Sequence, residues 1–129
     1  MSRTPAEQAN LDHVRAMYEA VLMPLDSSQV DRYIAQHYVQ HSSLAEPGVD
    51  ALKRWLDERR ADSPDARQTI HRAFVDGDHV VVHVHVSRRP GDLGLAVVDI
   101  FRLEDGMIVE HWDVIQEVPE HPVNPNPMI

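Results

Sequence analysis

One stretch, Leu95–Gln116, constrains the fold of this chain more than any other. It holds two runs rich in Val, Ile, Phe and Trp, at about residues 96–103 and 107–116, with Glu104-Asp105-Gly106 between them. Runs of this composition on both sides of an Asp-Gly pair predict a β-hairpin. Three polar residues interrupt the apolar pattern, namely Asp99, His111 and Asp113.

The length of the hairpin loop decides where these polar side chains lie. A three-residue loop that ends in a left-handed glycine would pair Leu103 with Met107. Asp99 would then lie opposite His111, and Asp113 would share the same face as a diagonal neighbour. Burying two carboxyls and an imidazole on an apolar surface is costly, so this arrangement would indicate a functional site.

A two-residue Asp105-Gly106 loop has the opposite consequence. It would pair Asp99 with Trp112 and turn the other two polar side chains to the far face of the hairpin. We expect the three-residue loop, because it gathers the polar groups and leaves Arg102 and Glu110 on the other surface.

Composition excludes several classes of protein. The chain of 129 residues is long enough for one domain with a core, and 43% hydrophobic and 26% charged residues are ordinary for a soluble protein. A formal net charge of -9 without a dense basic run argues against a nucleic-acid partner. The absence of cysteine excludes disulfides and thiolate chemistry. The sequence has neither a signal-peptide core nor an apolar run of membrane-spanning length, so we expect a cytoplasmic protein with no membrane partner.

Helical patterns fill the first half of the chain. Thr4, Pro5 and Glu7 have the spacing of a capping box at the start of the first helix. The segment Tyr38–Ser42 reads either as a brief strand or as an extended turn. The periodicity predicts three helices, at about residues 5–24, 27–36 and 49–60.

The second half changes to strand patterns. Two strands are expected at about residues 66–75 and 79–88, before the hairpin, and the proline-rich residues 118–129 should be irregular. The sequence therefore predicts one α+β domain over residues 1–129. In this domain the N-terminal helices cover one face of a curved, mostly antiparallel sheet and enclose an internal pocket.

Several segments together resemble one known family. They are Ala96–Arg102, Gly106–Gln116, Tyr38–His41, Gly77-Asp78, His83–His85 and Asn124–Met128. They resemble the SnoaL-like polyketide cyclases of the nuclear-transport-factor-two-like superfamily, and in particular a branch described as predicted aldol-condensation-catalysing enzymes. The resemblance implies a cone-shaped, cystatin-like barrel and an enzyme that works on a carbonyl compound without a cofactor.

The resemblance also implies roles for the polar trio. The catalytic strand carboxylate of the cyclases corresponds to Asp113, and the neighbouring-strand position, histidine in those cyclases, is Asp99 here. Burial and like charge would raise the pKa of one of these two carboxyls, so that one donates a proton while the other accepts one. His111 would orient Asp99. The alternative is a hydrogen-bonded network that only stabilises the sheet.

Further residues are candidates for binding substrate. His83 and His85 share one face of a strand, which either lines the cavity or lies half exposed. His41 is expected at the mouth of the cone, and Tyr18 and Phe74 in the core. The predicted substrate contacts are His41, His83, His85, Trp55, Tyr33 and Phe101.

The remaining expectations concern metal and partners. A zinc site of the His-x-His pair with His41 and Asp99 is permitted by spacing, but the resemblance points away from it, so we expect no metal and no cofactor. We expect a homodimer through the outer sheet face, which carries Trp112. The alternative function is a non-catalytic module of the same fold that binds a small ligand or dimerises, and a third is metal-assisted hydrolysis.

Overall fold

The computed structural model describes residues 2–129. Its helical elements are α1 (Pro5–Met17), a π-helical turn (Tyr18–Leu22), a 3₁₀ turn (Ser27–Arg32) and α2 (Val49–Asp62). Its strands are β1 (Ile34–Gln40), β2 (Arg67–Asp76), β3 (His79–Ser87), β4 (Leu95–Glu104) and β5 (Met107–Glu117). The predicted α+β class is confirmed.

The five strands form one curved sheet in the order β1-β5-β4-β3-β2. All neighbouring strands are antiparallel except β1, which runs parallel to β5. The sheet stays open, with β1 and β2 as its two edges. Of the segment Tyr38–Ser42, which the sequence left open between strand and turn, residues 38–40 belong to β1. This strand begins at Ile34, so the helix predicted over residues 27–36 is wrong beyond Arg32.

Helix α1 begins at the predicted capping box. The backbone N–H of Glu7 donates to the Thr4 hydroxyl at 3.1 Å, and the Thr4 N–H donates to the Glu7 carboxylate at 2.9 Å. Glu7 also accepts the backbone N–H of Gly77 at 3.0 Å, and these backbone hydrogen bonds lower the pKa of its carboxyl. The cap thus fixes α1 against the turn between β2 and β3.

The core lies between the helices and one face of the sheet, which we call the inner face. On β3 this face carries Val80, Val82 and Val84, all fully buried. On β4 it carries Val97, Asp99, Phe101 and Leu103, all of them buried. The helical layer covers these side chains with apolar residues, namely Leu11, Val14, Met17, Val21 and Leu56.

The turn between β4 and β5 differs from our expectation. Glu104 pairs with Met107, so the loop has two residues and not three. Asp105 and Gly106 both have positive φ, 50° and 77°, as a type I′ turn requires. Alone, this turn would place Asp99 opposite Trp112.

A β-bulge in β5 reverses that consequence. Leu103 pairs with Ile108, whereas Arg102 pairs with Glu110, so Val109 is one extra residue on β5. Beyond the bulge, Asp99 lies directly opposite Asp113.

The rest of the chain adds little to the architecture. After Glu117 the described chain contains no helix or strand, as predicted for the tail. No helix within residues 2–129 combines the length and the apolar character needed to cross a bilayer.

Candidate functional site

Asp99, His111 and Asp113, which we call the carboxyl cluster, meet on the inner face of the sheet. One side-chain ligand atom from each residue lies within 4.8 Å of the other two. Asp99 is 8% exposed, and its two cluster neighbours are half-buried. The bulge in β5 restores the phase that brings the three side chains to one face.

A fourth residue, Tyr18, reaches the cluster from the helical layer. Its hydroxyl donates a hydrogen bond to Asp99 Oδ2. Tyr18 is fully buried, and burial, together with the adjacent Asp99, raises the pKa of its hydroxyl well above the ordinary value. Tyr18 therefore remains a hydrogen-bond donor at any working pH. Sequence reasoning assigned it to the core alone, although a buried tyrosine hydroxyl usually has a partner.

His111 links Asp99 to β1. Its Nε2 lies 2.8 Å from Asp99 Oδ1, and its Nδ1 lies 2.7 Å from Gln40 Oε1. The backbone N–H of Ser42 donates to that same Gln40 oxygen at 3.0 Å. An amide nitrogen could not accept this bond, so the atom is the acceptor oxygen and His111 Nδ1 carries a hydrogen.

These contacts indicate where hydrogens lie between His111 and Asp99. Because Nδ1 of His111 is already protonated, its Nε2 and Asp99 Oδ1 must share one further proton to stay 2.8 Å apart. The hydrogen bond from Tyr18 to Asp99 favours the ionised carboxyl.

Asp113 is bonded differently from Asp99. Among residues 2–129, no hydrogen bond to its carboxyl is found, whereas both oxygens of Asp99 are engaged. An ionised carboxyl can accept about four hydrogen bonds, so Asp113 has its full capacity for an incoming group.

The three ligand atoms of the cluster lie close enough together to hold a metal ion. Both nitrogens of His111 and both oxygens of Asp99 are engaged in hydrogen bonds, however, and an ion would have to displace some of them. The alternative zinc set does not assemble, because His41, His83 and His85 lie on the opposite face of the sheet from Asp99.

His83 and His85 lie on the outer face, away from the cluster. Their strand turns Val80, Val82 and Val84 inward, so the alternating positions face outward. His83 accepts a hydrogen bond from Arg72, and desolvation together with that cation lowers its pKa. The ring of His85 donates to the backbone oxygen of Leu93 at 2.7 Å. The structure thus corrects the expectation that these two residues line the cavity.

His41 also lies on the outer face, and this corrects its expected place at the mouth of the cone. Its Nε2 lies 2.7 Å from Glu110 Oε2, and its ring stacks on Trp112 at 4.8 Å between centroids. Hydrogen bonds from Arg102 and His41 lower the pKa of the Glu110 carboxyl. Gln40, the preceding residue, is the one that β1 turns inward.

The predicted aromatic contacts occupy three different environments. Phe101 is buried with its ring 6.0 Å from Tyr18 and 4.9 Å from His111, so it packs against the network. Tyr33 packs its ring against His13 at 5.2 Å, and Trp55 on α2 is 42% exposed. The role of these three residues as substrate contacts stays a prediction. Phe74 is 58% exposed, so its assignment to the core is wrong.

Two grooves on the surface lie away from the carboxyl cluster. One, of about 590 Å³, is formed by residues 2–5 and Gln8. The other, of about 400 Å³, lies between the β3–β4 connection and the end of β5. Neither of these two grooves is the internal pocket expected from the sequence.

Comparison with known proteins gives a family and a set of similar folds. The SnoaL-like domain family matches residues 14–111. A putative polyketide cyclase from Bacillus cereus ATCC 10987 is 19% identical, with 83% of this chain and 74% of that chain covered and a TM-score of 0.71. A SnoaL-like protein of unknown function from Burkholderia thailandensis E264 is 14% identical, with 88% and 99% covered and a TM-score of 0.72.

An NTF2-like protein of unknown function from Mesorhizobium loti is 19% identical, with 89% of this chain and 97% of that chain covered and a TM-score of 0.73. At these identities the likeness shows the fold alone. No curated protein matches the chain.

Proposed function

We propose, because this chain belongs to the family of SnoaL-like domains, that it is a cofactor-independent enzyme of the aldol-condensation and cyclase type. It would move protons on a small carbonyl substrate. The observation that carries the proposal is the contrast between the two acids. Asp99 is held by Tyr18 and His111, whereas the carboxyl of Asp113, directly opposite, accepts no hydrogen bond from residues 2–129.

The proposed chemistry needs two proton transfers. Asp113 removes a proton from a carbon between two carbonyl groups, and conjugation stabilises the resulting enolate. The enolate carbon forms a bond to a second carbonyl carbon, whose oxygen becomes an alkoxide. Protonated Asp113 returns its proton to that oxygen, which restores the free carboxylate.

Asp99 and His111 would assist the step without consuming a proton. His111 and Asp99 each have a ligand atom within 4.8 Å of an Asp113 carboxylate oxygen, so in an imidazolium–carboxylate pair the positive charge of His111 would lie near the reacting carboxyl. A fixed positive charge there would stabilise the negative enolate and alkoxide in a largely water-excluded site. Asp99 would be the second member of the acid–base pair with Asp113, and as a carboxylate it would keep the neighbouring His111 ring protonated.

The comparisons support the class of reaction without naming a substrate. The similar structure from Bacillus cereus carries a polyketide cyclase name. The similar structures from Mesorhizobium loti and Burkholderia thailandensis carry only the NTF2-like and SnoaL-like names of the fold, which are also compatible with a binding module. The proposal therefore rests on the carboxyl cluster of this chain.

The experiment is to incubate the full chain with a panel of conjugated diketones, following aldol closure and the exchange of the acidic carbon-bound hydrogen for deuterium. Asp113→Asn should lower the rate by about 100-fold or more, the usual contribution of a positioned acid–base group. Asp65→Asn, at an exposed aspartate between α2 and β2, is the matched control and should keep the full rate. Tight ligand binding without turnover, unchanged by Asp113→Asn, would replace the enzyme with a non-catalytic binder.

We also propose that two copies of the chain pair through the outer face of the sheet. That face exposes Phe74 and Val114 to 58% and 66%, beside the stacked rings of His41 and Trp112. Large exposed apolar side chains on a sheet favour association. The paired faces would leave both carboxyl clusters on the far sides of their sheets.

A further inference from the structure

We propose that Tyr18 and Gln40 are positioning residues that hold the proton shared by Asp99 and His111 on the imidazole ring. Asp113 then works beside a fixed ion pair. The catalytic consequence rests on the proposed function, but the location of the proton does not. The inference concerns two side chains that touch no reacting atom.

Gln40 fixes one end of the network. Its Oε1 accepts the backbone N–H of Ser42, so the side-chain amide cannot turn over without losing that bond. The same oxygen then accepts the Nδ1 hydrogen of His111 at 2.7 Å, which leaves only Nε2 to face Asp99. β1 and β5 pair Gln40 with His111 directly, so the strand register sets this contact.

Tyr18 fixes the other end. It comes from the π-helical turn that follows α1, and insertions of this kind in a helix are frequent at functional sites. Its hydroxyl donates to Asp99 Oδ2, the oxygen that His111 does not contact. A donor on a carboxyl stabilises the ionised form, so the shared proton stays on the ring.

The groups that face the pair are few. The helical layer supplies Tyr18, β1 supplies Gln40, and β5 supplies Asp113, while β3 places the apolar Val82 opposite Asp99. Removing the Tyr18 hydroxyl leaves Asp99 Oδ2 without its donor. The proton should then move to the carboxyl, and the positive charge beside Asp113 should be lost.

The test is the ¹⁵N NMR spectrum of the histidine rings in the labelled full chain at pH 7. The His111 signals are identified by their loss in His111→Asn. In the wild type we expect both ring nitrogens of His111 to be protonated. In Tyr18→Phe we expect fewer than half of the molecules to carry a proton on Nε2 of His111. In Gln40→Met we expect Nδ1 of His111 no longer to be protonated in every molecule.

Gln68→Met is the matched control for Gln40→Met, because Gln68 is also a half-buried strand glutamine but lies on β2, the opposite edge of the sheet, where its side chain donates to the backbone oxygen of Leu22. It should leave the His111 signals unchanged. A neutral His111 ring in the wild type, or a Tyr18→Phe spectrum identical to the wild type, would overturn the proposal.

Activity then separates this inference from the proposed function. If the wild type turns over a diketone, Tyr18→Phe should lower kcat with little change in KM, and Asp65→Asn should change neither. If the wild type turns over no carbonyl compound, the proposed function fails while the NMR result still decides the position of the proton.

Discussion

The hydroxyl of Tyr18 and the carboxyl of Asp99 meet in the buried interior although 81 positions separate them in the chain. The contact joins the helical layer to the central strand of the sheet. Because Tyr18 is fully buried, water cannot replace either partner if the other is removed. The pair therefore serves the stability of the domain as well as its candidate site.

Tyr18→Phe should accordingly destabilise the domain. Hydrogen bonds to charged groups contribute about 1.5–3 kcal/mol, so we expect a loss of that size in the free energy of unfolding, measured by urea at pH 7. Tyr38→Phe should lose about 1 kcal/mol or less, because its hydroxyl lies 3.4 Å from a neutral backbone oxygen. Equal losses in the two variants would contradict a charge-assisted bond at Tyr18.

Gly94→Ala should be far more damaging than Gly91→Ala. Both glycines have positive φ, 88° and 80°, so each substitution strains the backbone by about 1–2 kcal/mol. A Cβ on Gly94 would also lie 2.4 Å from the backbone oxygen of Val86, whereas nothing lies within 4 Å of one on Gly91. Thermal unfolding of the two variants measures the difference, and similar midpoints would show that the β3–β4 connection can move aside.

Asp92 should make stability depend on pH. Its carboxyl accepts hydrogen bonds from the Arg88 guanidinium at 2.8 and 3.1 Å and from the backbone N–H groups of Arg88 and Gly94. These contacts, those of Arg88 first, hold the pKa of Asp92 well below its ordinary value of 3.8. The stabilisation is therefore complete above 3.8 and is lost as the pH falls through the lower folded value.

Asp92→Asn should lower the unfolding midpoint at neutral pH, and its difference from the wild type should shrink as the pH falls below 3.8. Calorimetry across this range measures the effect. Asp65→Asn, at an exposed site, should change the midpoint little at any pH. A difference for Asp92→Asn that grows in acid would reverse the predicted sign.

Val114→Glu should prevent the proposed pairing of outer faces. Val114 is 66% exposed on β5, and a carboxylate there would be buried against an apolar partner at a high cost. Leu44→Glu is the control, since Leu44 is 75% exposed in the loop before α2. Sedimentation should show a monomer for the first variant and a dimer for the second and the wild type, and a monomeric wild type would end the pairing proposal.

The sequence predicts most of the fold because local chemistry determines it. The capping box at Thr4 and the position of the hairpin turn at Asp105-Gly106 follow from local chemistry. The expected three-residue loop was wrong, because a two-residue loop with a bulge at Val109 also gathers the polar side chains on one face. The length of β1 was missed, since an edge strand that pairs in parallel depends on a partner far along the chain.

The orientation of β3 could have been read from the sequence. Positions 80, 82, 84 and 86 are all valine, whereas three of the five alternating positions from 79 to 87 are histidine. The more apolar set turns inward, so His83 and His85 belong outside. By contrast, no pattern in the sequence reveals that Tyr18 meets Asp99, because the residue also fits the apolar stripe of its helix.

The bulge at Val109 has a consequence for the comparison of relatives. A three-residue loop without the bulge at Val109 and a two-residue loop with that bulge leave the same residues of β5 facing inward. In the two cases their partners on β4 differ by two positions. Insertions and deletions in this hairpin can therefore compensate one another across several residues. An alignment that places a gap in the turn alone would assign the acids of β5 to the wrong face of the sheet. A variant with a shortened hairpin must therefore change the turn and the bulge at Val109 together.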